Sequence, residues 1–446
     1  MATFSSTEKT WFILSLTVLA FGYGFVSYSQ GLFPKSYMVQ GWEQARDLYG
    51  VPKLKTQVYD RSGAFVKQPE KMQPGLTLIT SWWNWDGTDG VIPGAKLIDR
   101  DGNTVHAWRP DRSTLFPNAD VKGDPLRADY DGSHLFPNGD VLLIFEYIGA
   151  VRVDACGTVQ WRLAEGAHHY ISRAEDGSFW IPGTSAERGT TTPRYPNGVP
   201  GVKDPVWFDQ LLHVSADGDL LQKINVLDVL YANDLERYIL KGHGPYPGTL
   251  MKDPVHLNDV EPLSATMADE YPLFEAGDLL VSLRHANLVL VVDPTSKNVK
   301  WHASRPFLHQ HDPDFTGDGW IGVFDNRDDV TKRGAMLGGS RIVSLQPHTD
   351  SMRVRFPTPQ SDPFYTGTQG QWEELANGNL LLTESNAGRV VEVDSAGRTV
   401  WEWIQKPAGT WLQRPSDEST VPVVTGASRY DLTRKEVASW PCSSID

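Results

Sequence analysis

The chain predicts an all-β fold, a six-bladed β-propeller with an N-terminal transmembrane helix, and three observations carry that prediction. Gly-led apolar strand candidates start at Gly75, Gly139, Gly177, Gly277, Gly319 and Gly378, and they are expected to be the innermost strands of their blades. Each is followed by a second β-rich element ending in a polar turn, as in Lys96-Leu97-Ile98-Asp99, Val151-Arg152-Val153-Asp154 and Val390-Val391-Glu392-Val393-Asp394. Four of these turns run on to a tryptophan, Trp108, Trp161, Trp301 or Trp401. Counted between the turn residues 99, 154, 215, 293, 346 and 394, the spacings are 55, 61, 78, 53 and 48. Repeats of that length, built of short strands and Gly/Asp/Asn turns, are the pattern of propeller blades.

Length and composition agree. The 446 residues exceed an ordinary domain, but a radial all-β fold grows to this size as one unit. Forty glycines and thirty prolines supply turns, and sixteen tryptophans supply bulk for packing between blades. No helix-periodic stretch competes.

At the N-terminus, residues 1–30 read as a signal anchor. Trp11 to Tyr28 carries no charge and is about long enough to cross the hydrocarbon layer. A cleaved signal peptide would want a shorter apolar core and a small-x-small site, which Val26-Ser27-Tyr28-Ser29 does not provide. Either reading places the globular part on the extracytoplasmic, periplasmic side. Residues 31–74 read as a stalk with an amphipathic stretch from Trp42 to Tyr49, and residues 75–404 as the propeller. Two insertions interrupt the blades, Thr190 to Val206 and the interval from about 227 to 255, which holds a short helix pattern at Asn233 to Leu240. Residues 405–446 read as a Pro/Ser-rich tail that wraps the propeller rather than building a blade.

The chemistry begins with histidine. His169, His256 and His311 each stand shortly before a Gly-led strand, and equivalent positions of a circular repeat face the common axis. They predict a cluster of imidazoles in a central funnel. His134 falls out of that register and reads as structural. Trp82-Trp83-Asn84-Trp85 reads as blade packing, with stacking of an aryl ligand as the other option. Cys156 and Cys442 fit an oxidising compartment, and the sequence leaves open whether they are bridged. A net charge of −14 argues against nucleic acid and against an anionic membrane surface as partners. No Walker-type loop, Rossmann fingerprint or metal-ligand spacing is present, so neither a cofactor nor a metal is expected.

Between residues 250 and 330 the order of short motifs is His256-Leu257-Asn258-Asp259, a strand ending Ser282-Leu283-Arg284-His285, then Gln310-His311 ahead of a strand ending Phe324-Asp325-Asn326. In these residues the chain resembles the bacterial aryl sulfate sulfotransferases, or arylsulfotransferases. The resemblance implies a six-bladed propeller that moves a sulfuryl group from a phenolic sulfate ester to a phenolic acceptor through a sulfohistidine, without a nucleotide sulfate donor. It makes His311 the nucleophile, with His256, Asn258 and Arg284 around the sulfate and His169 completing the catalytic set. Thr383 and Glu384, at the end of the last blade's Gly-led strand in a position equivalent to Arg284, are expected to reach the ligand, Thr383 as a substrate-binding residue.

The residues support such chemistry on their own terms. A neutral imidazole is a nucleophile that needs no activating base. An Arg, an Asn amide and a second imidazole supply fixed donors for sulfuryl oxygens, as in phosphoryl transfer. A further histidine can protonate a leaving phenolate and deprotonate an incoming phenol. A second class stays open: a catalytically silent, membrane-anchored scaffold propeller, since Asp394-Ser395-Ala396-Gly397-Arg398-Thr399-Val400-Trp401 also resembles the docking turns of binding propellers. A quinoprotein would need eight blades and a calcium-binding carboxylate cluster, which the length and the axial histidines oppose. The sequence is compatible with a monomer and with a homo-oligomer.

Overall fold

In the computed structural model the described residues are 6–30, 54–85, 91–117, 130–240, 252–329, 331, 333–408 and 419–442. Six antiparallel sheets of four or five strands make up the body of the protein, one per predicted repeat. Blades two to five each use four consecutive strands, for example Leu257–Pro262, Leu279–Leu283, Leu288–Val292 and Val299–Ala303 in blade four.

Packing shows why the strands are apolar. Six buried hydrophobic clusters exist, and each joins two neighbouring blades. The last of them unites Leu381, Val390 and Trp401 of blade six with Ile79, Ile98 and Val424 of blade one, which closes the ring. The second strand of a blade therefore has a blade on either side, and Val141–Phe145, Leu279–Leu283 and Ile321–Asp325 are buried at every position. A strand buried on both faces reads as a continuous apolar run. Outer strands such as Ser351–Phe356 have one wet face and are mostly exposed.

The Asp-x-x-Gly turns have a direct physical basis. Asp154 Oδ1 accepts the N–H groups of Cys156 and Thr158, both at 2.8 Å, while Gly157 takes φ 79°. Asp394 repeats this with Ala396 and Arg398, and Gly397 takes φ 76°. The strand register slips by one at each of these hairpins, between Arg152 and Val153 and between Glu392 and Val393. This is a tight turn closed by a left-handed residue and a bulge. The following tryptophan reaches the next blade: Trp161 Nε1 donates to Ala216 O and Trp401 Nε1 to Arg100 O.

Three expectations need correction. The Gly-led strands are second from the axis; the inner strands are the polar segments Tyr130–Leu135, Ser172–Arg173, Leu257–Pro262, His311–Phe315, Trp372–Glu374 and Val424–Tyr430. Double-sided burial selects apolar residues for the second position, so polar segments take the axis. The tail does not merely wrap: Val424–Tyr430 is the inner strand of blade one, paired with Leu76–Asn84. Arg434–Val437 then forms a capped turn of helix, and Cys442 is bonded to Cys156 of blade two. The second half of the supposed stalk also belongs to the sheets, since Gly63–Val66 is a fifth strand on blade six and Leu54–Thr56 pairs with Thr420–Pro422. The Trp42 to Tyr49 stretch lies outside the described residues.

The inner strands are joined by side chains rather than by a ladder. Glu261 accepts the N–H of Phe315, Asp312 that of Trp372, and Glu373 that of Arg429, each from one blade to the next. Asp131 likewise accepts from His169 N and Asp209 from Leu257 N. Apart from Asp209, at the start of the third strand of blade three, these carboxylates occupy the axis because inner-edge N–H groups would otherwise stay unpaired.

Ser6–Gln30 is a helix along its whole length, with Trp11, Phe12, Leu19, Phe21 and Phe25 exposed. Among the described residues no helix is long and apolar enough to cross a membrane. Ser15, Thr17, Gly22, Gly24 and Ser27 dilute the run that the sequence offered as a transmembrane span.

Candidate active site

The funnel histidines sit where the chain turns into consecutive inner strands. His169, His256 and His309 hold left-handed backbone conformations, φ 59°, 51° and 57°, at the turn into blades three, four and five. Non-glycine residues avoid this region, and where several adopt it together the surrounding structure is enforcing a local geometry. At His256 the enforcement is visible: Asp253 Oδ1 accepts its N–H and Asp253 Oδ2 lies 2.7 Å from its Nδ1.

Those turns bring the rings together. The centroid of His169 lies 5.2 Å from that of His256, at right angles, and 6.1 Å from that of His311. His285 is 4.6 Å from His256 and 6.3 Å from His309. His168 completes a continuous imidazole cluster, its Nδ1 hydrogen-bonded to Nδ1 of His169 at 2.7 Å. His311 is buried at the start of its strand, with Nδ1 2.7 Å from Oδ1 of Asn326 and 3.1 Å from the carbonyl of His309. Burial holds His311 well below the usual imidazole range, and the nearby Arg284 guanidinium pushes it further down. Burial likewise takes His285 to about 4, with the charge of His256 adding to the effect. His311 and His285 are thus disfavoured as cations, and the Arg284 guanidinium stands close enough to act on both.

Arg284 follows the second strand of blade four and is largely buried, its Nη2 4.0 Å from Asp328 Oδ2. Burial lowers its pKa and the Asp328 carboxylate opposes that. At such a distance the pair is a loose electrostatic contact rather than a bidentate clamp, so the planar donors are not consumed by Asp328.

Asn258 plays a different part from the one expected. It is fully buried and its Nδ2 donates to the carbonyl of Gln310 at 2.8 Å, tying blade four to the strand that carries His311. Gln310 is anchored in turn to Ser282 Oγ and to the carbonyls of Leu283 and Leu288. Thr383 is buried in the second strand of blade six with no partner for its hydroxyl, and no contact among the described residues ties it to the histidines. Glu384 is committed to structure, accepting from Tyr59 Oη and Tyr365 N and paired with Arg389. Counting from the Gly-led starts explains the error: Arg284 stands seven residues after Gly277, and seven after Gly378 is Ser385.

His134 packs on Phe136 between blades two and three, and burial takes it to about 4. Trp83 donates to Gly94 O and lies 5.4 Å from Trp403, which makes it packing between blades six and one. Asp253, His256 and His285 offer donor atoms within 4.8 Å of one another, a set that could hold a metal ion. Hydrogen bonds to Asp253 from both rings account for that geometry without one.

Residues 164–406, just over half of the chain, match the model of the arylsulfotransferase (ASST) family. The chain belongs to the arylsulfotransferase family. The matched span holds the histidine cluster together with Arg284, Asn258 and Asn326, and it ends before the strand that closes blade one. Comparison with curated proteins finds no match. Among solved structures, a protein of unknown function from Bacteroides caccae is 13% identical, covering 78% of this chain and 99% of its own, with a TM-score of 0.44. A virginiamycin B lyase from Staphylococcus aureus is 9% identical, with 69% and 87% covered and a TM-score of 0.35. Likenesses this distant carry no functional information.

Asp253, His309, His168, Asp328 and Asn326 were given no role from the sequence. Asn326 was visible as the end of a motif. His309 and the contact of Asp253 with His256 depend on left-handed turns that no spacing rule describes.

Proposed function

We propose that the protein transfers a sulfuryl group from an aryl sulfate ester to a phenolic acceptor, with the imidazole of His311 as the intermediate carrier. The observation that supports this most is the site's composition: a buried, uncharged His311 next to Arg284 and two further imidazoles, inside a family whose name is the reaction. In the first half-reaction the ring lone pair bonds to sulfur while the bond from sulfur to the aryl oxygen breaks, and the leaving phenolate takes a proton from His169 or His256, which enters as an imidazolium and is left as a neutral base. In the second, the acceptor phenol gives its proton to the same base, its oxygen bonds to sulfur, and the bond to His311 breaks. Arg284 lies where it can hold sulfuryl oxygens in both halves. No cofactor enters the scheme. Asn258 serves by locking the Gln310 backbone.

The protein is placed on the extracytoplasmic side and held at the membrane by its N-terminal helix. The Cys156–Cys442 bond suits an oxidising compartment, and the exposed apolar side chains of Ser6–Gln30 suit a lipid surface.

Intact-mass analysis after incubation with 4-nitrophenyl sulfate tests the transfer. One added sulfuryl group on His311, absent from His311→Ala together with all turnover, is the expected result. Binding without an adduct, or turnover by His311→Ala, removes the mechanism and leaves a binding propeller.

A further inference from the structure

We infer that Asn326 is a positioning residue that fixes the tautomer of His311 and so selects which ring nitrogen receives the sulfuryl group. The inference rests on the transfer reading above and extends it to an atom.

The orientation of the Asn326 amide is determined by its surroundings. Its Nδ2 donates to the carbonyls of Thr366, at 2.8 Å, and Gln369, at 2.6 Å. Both amide hydrogens are spent there, so the atom facing His311 Nδ1 at 2.7 Å is the amide oxygen. An amide oxygen can only accept. The His309 carbonyl, 3.1 Å from the same nitrogen, can also only accept. Two acceptors on one nitrogen require that nitrogen to carry the proton, and burial keeps the ring neutral. His311 is therefore the Nδ1–H tautomer, and its lone pair is on Nε2. A neutral imidazole attacks only through the nitrogen that lacks the proton, so Nε2 bonds to sulfur.

The clamp is rigid. Ser340 Oγ bonds the carbonyls of both Asn326 and Thr366 and receives the Thr366 N–H, and Thr366 Oγ1 bonds Thr368 O. Asn326, Thr366 and Ser340 are all buried. The chemistry also favours an amide over a carboxylate. A carboxylate oxygen in place of Nδ2 would face two carbonyl oxygens, and its charge would make His311 more basic and a poorer leaving group from sulfur. A neutral acceptor orients the ring without that cost.

The test uses the full-length protein labelled with 15N histidine. Long-range 1H–15N correlation near neutral pH, with the His311 signals assigned by their loss in His311→Gln, reports the tautomer of the resting enzyme. A neutral Nδ1–H ring supports the inference; an Nε2–H ring, or an averaged mixture, overturns it. This readout needs no turnover, so a Nδ1–H ring in a protein that forms no adduct would sink the transfer reading alone. With 4-nitrophenyl sulfate the adduct should lie on Nε2, and an Nδ1 adduct overturns the inference. Asn326→Ala should give a tautomeric mixture and lower kcat by roughly 10–100-fold with KM little changed. If that variant folds and keeps a pure Nδ1–H ring, Asn326 is only a loop brace and the inference fails.

Discussion

At the scale of single residues, the site sets a buried His311, disfavoured as a cation, beside a guanidinium. That guanidinium belongs to Arg284, whose contact to Asp328 is a loose 4.0 Å. Arg284→Ala should slow aryl sulfate turnover by roughly 10²–10³, since one charge-stabilising donor is lost while the nucleophile stays. Single-turnover kinetics would check this, and a loss below tenfold would assign Arg284 to structure. The convergence of His169, His256 and His311 was legible because a circular repeat turns equal spacing into a shared axis. The contact made by Asn258 was not. Asn258 belongs to the same short motif as His256, yet a bulge between Leu257 and Asp259 turns its amide toward Gln310. Asp253 escaped notice because its contact with His256 depends on a left-handed turn, and that turn is written in no residue preference.

At the scale of elements, local chemistry was read well and long-range pairing was not. The Asp-x-x-Gly hairpins could be located because the carboxylate, the left-handed glycine and the bulge are all local. The strand Val424–Tyr430 could not, because its partner Leu76–Asn84 lies at the other end of the chain. Its residues are small and polar, as an axial strand's are, so nothing marked them as sheet. The N-terminal helix shows the reverse case, in which length was legible and apolar density was overestimated. Its exposed Trp11, Phe12, Phe21 and Phe25 still make a lipid contact the expected role. The full chain should stay with membranes through a high-salt wash, because burial of apolar side chains is not screened by ions. A chain lacking residues 1–30 should be released. Release of the full chain by salt alone would show that charge, not the helix, holds it.

At the scale of the whole molecule, the ring is closed by apolar clusters between blades and by a set of acids along the axis. Asp259 and Asp312 share a hydrogen bond between carboxyls, which requires a proton on one of them. Burial raises Glu261 to about 8 and Asp312 and Glu373 to about 7, and it raises Asp259 and Asp314 well above the usual range. Glu261, Asp314 and Glu373 retain some accessible surface, yet inner strands surround them, so they feel the enclosure of a narrow axis rather than open water. The sign follows from linkage. A carboxyl raised in the folded state binds its proton more tightly there than in the unfolded chain. Its contribution is complete below the unfolded value, near 4 for Asp and Glu, and fades as pH rises through the folded values of about 7 to 8. The protein should therefore be less resistant to urea at pH 8.5 than at pH 5.5. Asp314→Asn keeps the shape and removes one such proton, so the slope of stability against pH should flatten by about 1.4 kcal/mol per unit where that group is linked. Equilibrium urea unfolding of the two proteins across that range decides the matter, and a wild-type midpoint that is level or rises with pH would mean that the axial acids are ionised and held by their N–H donors alone.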